Sequence, residues 1–377
     1  MVSDFKNKLT NLSLTVATAC FLASCGGGGG GGGVAINYNS GPSSSGGTFL
    51  DSGTSVTYNS TTASNHQAYD QYENIARANS GQNNYDLINL HKAYGYGYSG
   101  DGQLIAILDS NFDTNHHTYT GKTVTTHHTL TADTTSDYHG NTVASIAAGY
   151  LDTSYSGTVA THGVAYDADL HLADYLKKGT VSGHGTATYY PQAWAFALAD
   201  ARADGAVVQN NSWGVDEQYN SSTSYSTSSL ATMWTNSGLS ASAGSVTSYI
   251  DGLNNFQSDS GVIVYALSNT NSYTDADVQA ALPEMFSQLQ EAWITAVKVD
   301  ITGSSGSESY SRKSAPCGAT AKYCIGADGW NINGAAYYSG SSYYVTGGTS
   351  GTSFVAPQIS GAVAIIAEAF PSQTPAQ

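Results

Sequence analysis

Leu104-Ile105-Ala106-Ile107-Leu108 is an unbroken apolar run, with Ser99-Gly100-Asp101-Gly102 before it and Asn111 shortly after it. A run this short and uniformly apolar, set between turn signals, reads as a strand buried on both faces. Such strands belong to parallel sheets covered by helices. Further runs over 169–176, 206–212, 262–268 and 294–299 predict four more strands, and Pro191 to Ala203 predicts a crossover helix. The alternation predicts an α/β chain with a doubly wound, mainly parallel sheet flanked by helices.

The first strand ends on Asp109, where open α/β sheets place their sites. A histidine, His139, opens the small-residue segment His139-Gly140-Asn141-Thr142-Val143-Ala144-Ser145, which reads as a tightly packed helix. A serine, Ser353, stands in Gly351-Thr352-Ser353-Phe354-Val355-Ala356-Pro357, at the mouth of an apolar helix expected over 354–369. A serine hydroxyl is a poor nucleophile unless a base removes its proton and fixed donors hold the oxyanion. A helix N-terminus offers unpaired N–H groups and a partial positive charge for the second task. Taken singly, each residue has a plainer reading: Gly-Thr-Ser as a helix cap, the aspartate as another cap, the histidine as a loop residue. Pro357 is placed inside the serine helix, where it removes one backbone bond.

The order Asp…His…Ser is one of the known chain orders of a serine triad. With these three blocks, the chain resembles the subtilases, subtilisin-like serine peptidases. Two more blocks agree. Gly261 to Asn269 resembles the strand that delivers the oxyanion-hole asparagine, Asn269. Val207 to Gly214 is similar to the edge strand on which subtilases lay their substrate, through Ser212, Trp213 and Gly214. Tyr85 to Tyr94 resembles the helix leading into the aspartate strand. The resemblance implies a serine endopeptidase that cleaves peptide bonds of proteins through an acyl-enzyme on Ser353. Its base would be His139 and its orienting acid Asp109, with Trp213 also walling an apolar subsite. Three departures stand beside these blocks: Asn111 and Ser268 where the family has glycine, and His-Gly-Asn in place of His-Gly-Thr. An asparagine tolerates a turn conformation nearly as well as glycine, whereas Ser268 adds a side chain beside the specificity pocket. The rival reading is a catalytically inactive, surface-anchored binding or adhesion protein on the same scaffold. An esterase is disfavoured because no G-x-S-x-G elbow surrounds Ser353.

Charge narrows the partners. Twelve Lys and Arg against twenty-eight Asp and Glu, for a formal charge of −16, leave too few cations for a nucleic-acid surface. At the amino terminus, Lys6 and Lys8 precede an apolar stretch from Leu12 to Ala23 with signal-peptide proportions. Leu22-Ala23-Ser24-Cys25 looks like a lipobox, and the glycines from Gly26 to Gly33 suit a flexible tether after a lipidated Cys25. Gly26 resembles the pattern that sends lipoproteins to an outer membrane, which points to a bacterial envelope or secreted location. Residues 1–24 therefore read as a lipoprotein signal peptide, 25–69 as a stalk, and 70–377 as the peptidase domain, stopping where a further helix would open. Within these, a short helix is expected over 70–78, and a polar excursion over 215–258 carries a helix around 246–256 near the substrate groove.

Cys317 and Cys324 remain after signal processing, and an oxidising setting favours their pairing as a disulfide; a metal site is the rival. The same pair resembles the subtilase passengers of Gram-negative autotransporters. His116-His117 and His127-His128 read as solvated surface pairs rather than metal ligands. Asp113 and Asn115 could coordinate calcium, but no cofactor or metal is assigned.

Overall fold

The computed structural model describes residues 48–49, 56–72, 83–128, 130–131, 137–151, 161–259, 261–304, 307–339 and 342–377. Residues 1–24, read above as a signal peptide, lie outside the described residues together with Cys25 and the glycine run.

The central sheet contains β1 (Leu104–Asp109), β2 (Val124–Thr126), β3 (Asp169–Asp174), β4 (Val208–Asn211), β5 (Val262–Ala266), β6 (Trp293–Thr302), β7 (Ser309–Arg312) and β8 (Cys324–Asp328). Their order is β7-β6-β5-β4-β1-β3-β2, with β8 pairing β6 in parallel. Every other pair is parallel except β6 with β7. The chain leaves β1 in one direction for β3 and β2, then returns to its other edge for β4 and β5. That reversal puts a crevice at the carboxyl ends of β1 and β4, the place where open α/β sheets bind ligands.

The principal helices are α1 (Ser60–Tyr72), α2 (Leu90–Gly95), α3 (His139–Ala148), α4 (Tyr190–Ala203), α5 (Thr227–Asn236), α6 (Ala243–Asp259) and α7 (Ala356–Ala369). Alternation along β1 divides the core. Ala106 and Leu108 join the cluster of Trp194, Trp234, Tyr249 and Phe256 under α4, α5 and α6. Ile105 and Ile107 join Val143, Ala147, Ile359 and Ile365 under α3 and α7. A strand apolar at every position is what two covered faces require.

Several elements depart from the sequence expectation. The first helix runs Ser60–Tyr72, not 70–78, so it starts inside the stretch read as stalk. It is docked firmly: Asp70 Oδ1 pairs with His162 Nε2 at 2.8 Å, and both side chains are buried. Residues 85–94 form two pieces, Asn84–Leu87 and α2, because Asn89 turns left-handed at φ 56° between them. The 215–258 excursion holds an additional helix, α5, and both α5 and α6 pack into the core beside α4. Trp194 meets Trp234 at 5.4 Å and Tyr249 at 5.2 Å. Pro357 sits in the first turn of α7, where its missing N–H has no intrahelical partner to lose. At the far end of α7, Glu368 Oε2 accepts the N–H groups of Ser99 at 2.8 Å and Gly100 at 2.6 Å, just ahead of β1.

Candidate active site

Asp109 ends β1 and is fully buried. Its Oδ1 accepts the Ser110 N–H at 2.8 Å and lies 2.7 Å from His139 Nδ1. His139 begins α3, and Gly140 lets that helix come close. The Gly140 N–H reaches Ser110 O at 2.7 Å, and a Cβ there would lie 2.4 Å from the same oxygen. Asn111 takes φ 60°, the left-handed turn expected of it. Asn141 ties the loop together, accepting the Asp113 N–H at 3.0 Å and the Tyr119 hydroxyl at 2.8 Å.

The imidazole is 34% exposed at its outer side. Burial pulls its pKa down, but the Asp109 charge and hydrogen bond, aided by Asp137, outweigh that and raise it above 6.5. The Phe354 ring, one residue past Ser353, lies 5.8 Å from the imidazole.

Ser353 is held on the other side by Ser212, which follows β4. Ser353 Oγ donates to Ser212 O at 3.1 Å, and Ser212 Oγ donates to Ser353 O at 3.0 Å. Buried Asn210 donates to Ser212 Oγ at 3.0 Å, and Ser360 donates to Asn210 Oδ1 at 3.0 Å. The serine hydroxyl thus rests on Ser212 O, and no hydrogen bond joins it to His139.

Asn269 follows β5 and is exposed. Its Oδ1 accepts the Thr352 N–H at 3.0 Å, with the Thr352 hydroxyl 3.3 Å away. The oxygen is committed, so the amide NH₂ is what remains for a ligand. Asp277 steadies this loop, accepting the N–H of Ser268 at 2.6 Å and of Ala280 at 3.1 Å. Burial raises the Asp277 carboxyl to about 6 despite those donors.

A subtilase-family model matches residues 100–377. The chain belongs to the subtilase family. Among curated proteins it is similar to an extracellular serine protease of Serratia marcescens, 26% identical over 76% of this chain. The match spans 29% of that relative's length. The fold is shared with the prenylagaramide maturation protease PagA, at TM-score 0.52, 19% identity and coverage of 76% of this chain and 84% of that one. It is shared also with sphericase, at TM-score 0.50, 21% identity and coverage of 74% and 81%.

In this subtilase, Asp109, His139, Ser353, Asn269 and Ser212 converge at the carboxyl ends of β1, β4 and β5. Trp213 differs from expectation. The residue is 8% exposed and its indole is stacked on Tyr175 at 4.8 Å and against Trp194 at 4.5 Å, so the ring packs in the core. Gly214 follows it, and the atoms nearest its absent Cβ belong to Gln279 and Asp277, at 3.6 Å and beyond. Cys317 and Cys324 form a disulfide. Among the described residues, no group of three His, Cys, Asp or Glu is placed to hold a metal ion. One histidine of each pair is buried rather than solvated: His116 Nδ1 accepts the Thr118 N–H, and His127 lies 2.6 Å from Asp200. Asp113 accepts from the Asn115 side chain and backbone.

Sequence reading missed Asn141, Asn210 and Asp277. Only Asn141 carried a signal, as the departure from His-Gly-Thr; the others gain their roles through contacts between distant segments.

Proposed function

We propose that the protein is a serine endopeptidase acting through Ser353, His139 and Asp109. The observation that carries this reading is the 2.7 Å contact between a fully buried Asp109 and a partly exposed His139 whose pKa is raised. Asp109 then holds Nδ1 protonated, which leaves Nε2 as the base. Turning Ser353 Oγ from Ser212 O toward Nε2 would complete the relay; catalytic hydrogen bonds are often unmade before substrate arrives. Ser353 attacks the scissile carbonyl, His139 takes its proton and returns it to the leaving amine, and water hydrolyses the acyl-enzyme. The Asn269 amide and the Ser353 N–H receive the oxyanion. An extended substrate adds as a strand along Ser212–Gly214. A fluorophosphonate probe tests the reading. Labelling of folded protein that is lost in Ser353→Ala supports it.

The second reading is a binding protein on the same scaffold, and the resting Ser353–Ser212 bond is the observation that favours it. Absence of labelling in folded protein would select it. Protein substrates and a secreted or surface location fit the extracellular relative. Attachment through Cys25 is a further proposal, as are the signal peptide of 1–24 and the stalk. Metabolic incorporation of a fatty-acid analogue, lost in Cys25→Ser, tests the anchor.

A further inference from the structure

A closed circuit of contacts runs out from Ser353 and back to its neighbour. Starting at Ser353, it passes by hydrogen bond to Ser212 and along the chain through Trp213, Gly214 and Val215 to Asp216. Asp216 Oδ1 accepts the Ser268 hydroxyl at 2.7 Å. Asn269 comes next in the chain and returns to Thr352, the neighbour of Ser353, at 3.0 Å. One carboxylate thus joins the strand on which substrate would lie to the loop that would hold the oxyanion.

That carboxylate is built to stay charged and open. Thr270 Oγ1 lies 2.9 Å from Oδ1 and 3.2 Å from Oδ2. The Ser268 hydrogen bond leads the causes that lower its pKa, with Thr270 and Tyr273 adding to it against burial. Asp216 is exposed. The ion pairs formed by Lys and Arg among the described residues go to Asp259, Asp300 and Glu284, not to Asp216. Nearby Arg312 is engaged by Asn271 Oδ1 and Ser314 O. A fixed anion held by hydroxyls, with no counter-charge of its own, has room for an incoming cation.

We propose that Asp216 selects substrates with lysine or arginine as the residue whose carbonyl Ser353 attacks. That carbonyl would lie beside Asn269, so its residue's side chain would start between the Ser212–Asp216 and Ser268–Asn269 segments, which the Ser268–Asp216 hydrogen bond joins. A long cationic side chain running between those segments would meet the carboxylate that joins them. Ser268 serves the same purpose by fixing the carboxylate, which gives its side chain a role where a glycine would have none. The proposal rests on the peptidase reading and names its substrate class.

Matched peptides differing only at that residue, carrying Arg, Lys, Leu or Glu, test it by kcat/KM. The expected order places Arg and Lys above Leu, with Glu lowest. Asp216→Asn should lower the basic-to-leucine ratio about 10- to 100-fold, the size of one charge-assisted hydrogen bond. Asp216→Lys should favour Glu. Fluorophosphonate labelling at Ser353 is followed in each variant to show that the site is assembled. Labelled enzyme that prefers Leu, or a ratio unmoved by Asp216→Asn, overturns the assignment while leaving the peptidase intact. No labelling and no cleavage of any peptide removes both.

Discussion

Ser212 and Ser353 exchange hydrogen bonds, each hydroxyl donating to the other's backbone carbonyl at 3.0–3.1 Å. The strand that would carry substrate and the turn that would carry the nucleophile are therefore locked together before any ligand arrives. Ser212→Ala removes the donor to Ser353 O and leaves the buried Asn210 amide without its acceptor. Urea unfolding should show a loss of about 1–3 kcal/mol, together with slower probe labelling of Ser353. Unchanged stability and labelling would refute the lock.

Asn269→Ala should lower kcat by roughly 10²–10³ with little change in KM, the effect measured for an oxyanion-hole asparagine in a subtilisin. The Thr352 N–H loses its acceptor in the same variant, so circular dichroism should accompany the kinetics. A rise in KM at constant kcat would place Asn269 in ground-state binding instead.

Activity should fall on the acid side as His139 takes up a proton, with a midpoint above 6.5 because its pKa is raised. Asp109→Asn removes the opposing charge and leaves burial to act, so the midpoint should move downward as kcat drops by about 10⁴. The corresponding contribution to stability is complete below pH 6.5 and is lost as pH climbs through the folded value. A wild-type midpoint below 6.5 would contradict the pairing.

His127 behaves in the opposite sense. Burial pulls its pKa to about 4, outweighing its hydrogen bond to Asp200. Above pH 6.5 it is neutral in both folded and unfolded chains. Between 6.5 and about 4 the unfolded chain binds the proton and the folded chain does not, so stability falls. Melting temperature measured across that window should drop less in His127→Gln than in the wild type. Equal slopes would show that other groups dominate the acid response.

The parts of the fold legible in sequence were those whose burial left a composition mark. β1, β5 and α7 are apolar nearly throughout and α3 is built of small and apolar residues; Asp109 ends β1, His139 opens α3 and Ser353 stands just before α7. β2 is three residues with little burial, too short to alternate. α5 is opened by a capping box in which Ser229, rather than a glutamate, reaches back to Ser226, so the usual signature is missing. Asp216 offered no local sign because its partner Ser268 lies 52 residues away. Trp213 packs its ring on Tyr175 and Trp194, residues of other segments, so no local pattern marked it as core.

The grip of Glu368 on Ser99 and Gly100 reaches further than its position suggests. α7 has fourteen residues and β1 six, so each is about 20 Å long. They run in opposite senses, joined at one end by Glu368 and bearing Ser353 and Asp109 toward the other. Like a clasp at the far end, Glu368 ties together the two elements that present Ser353 and Asp109.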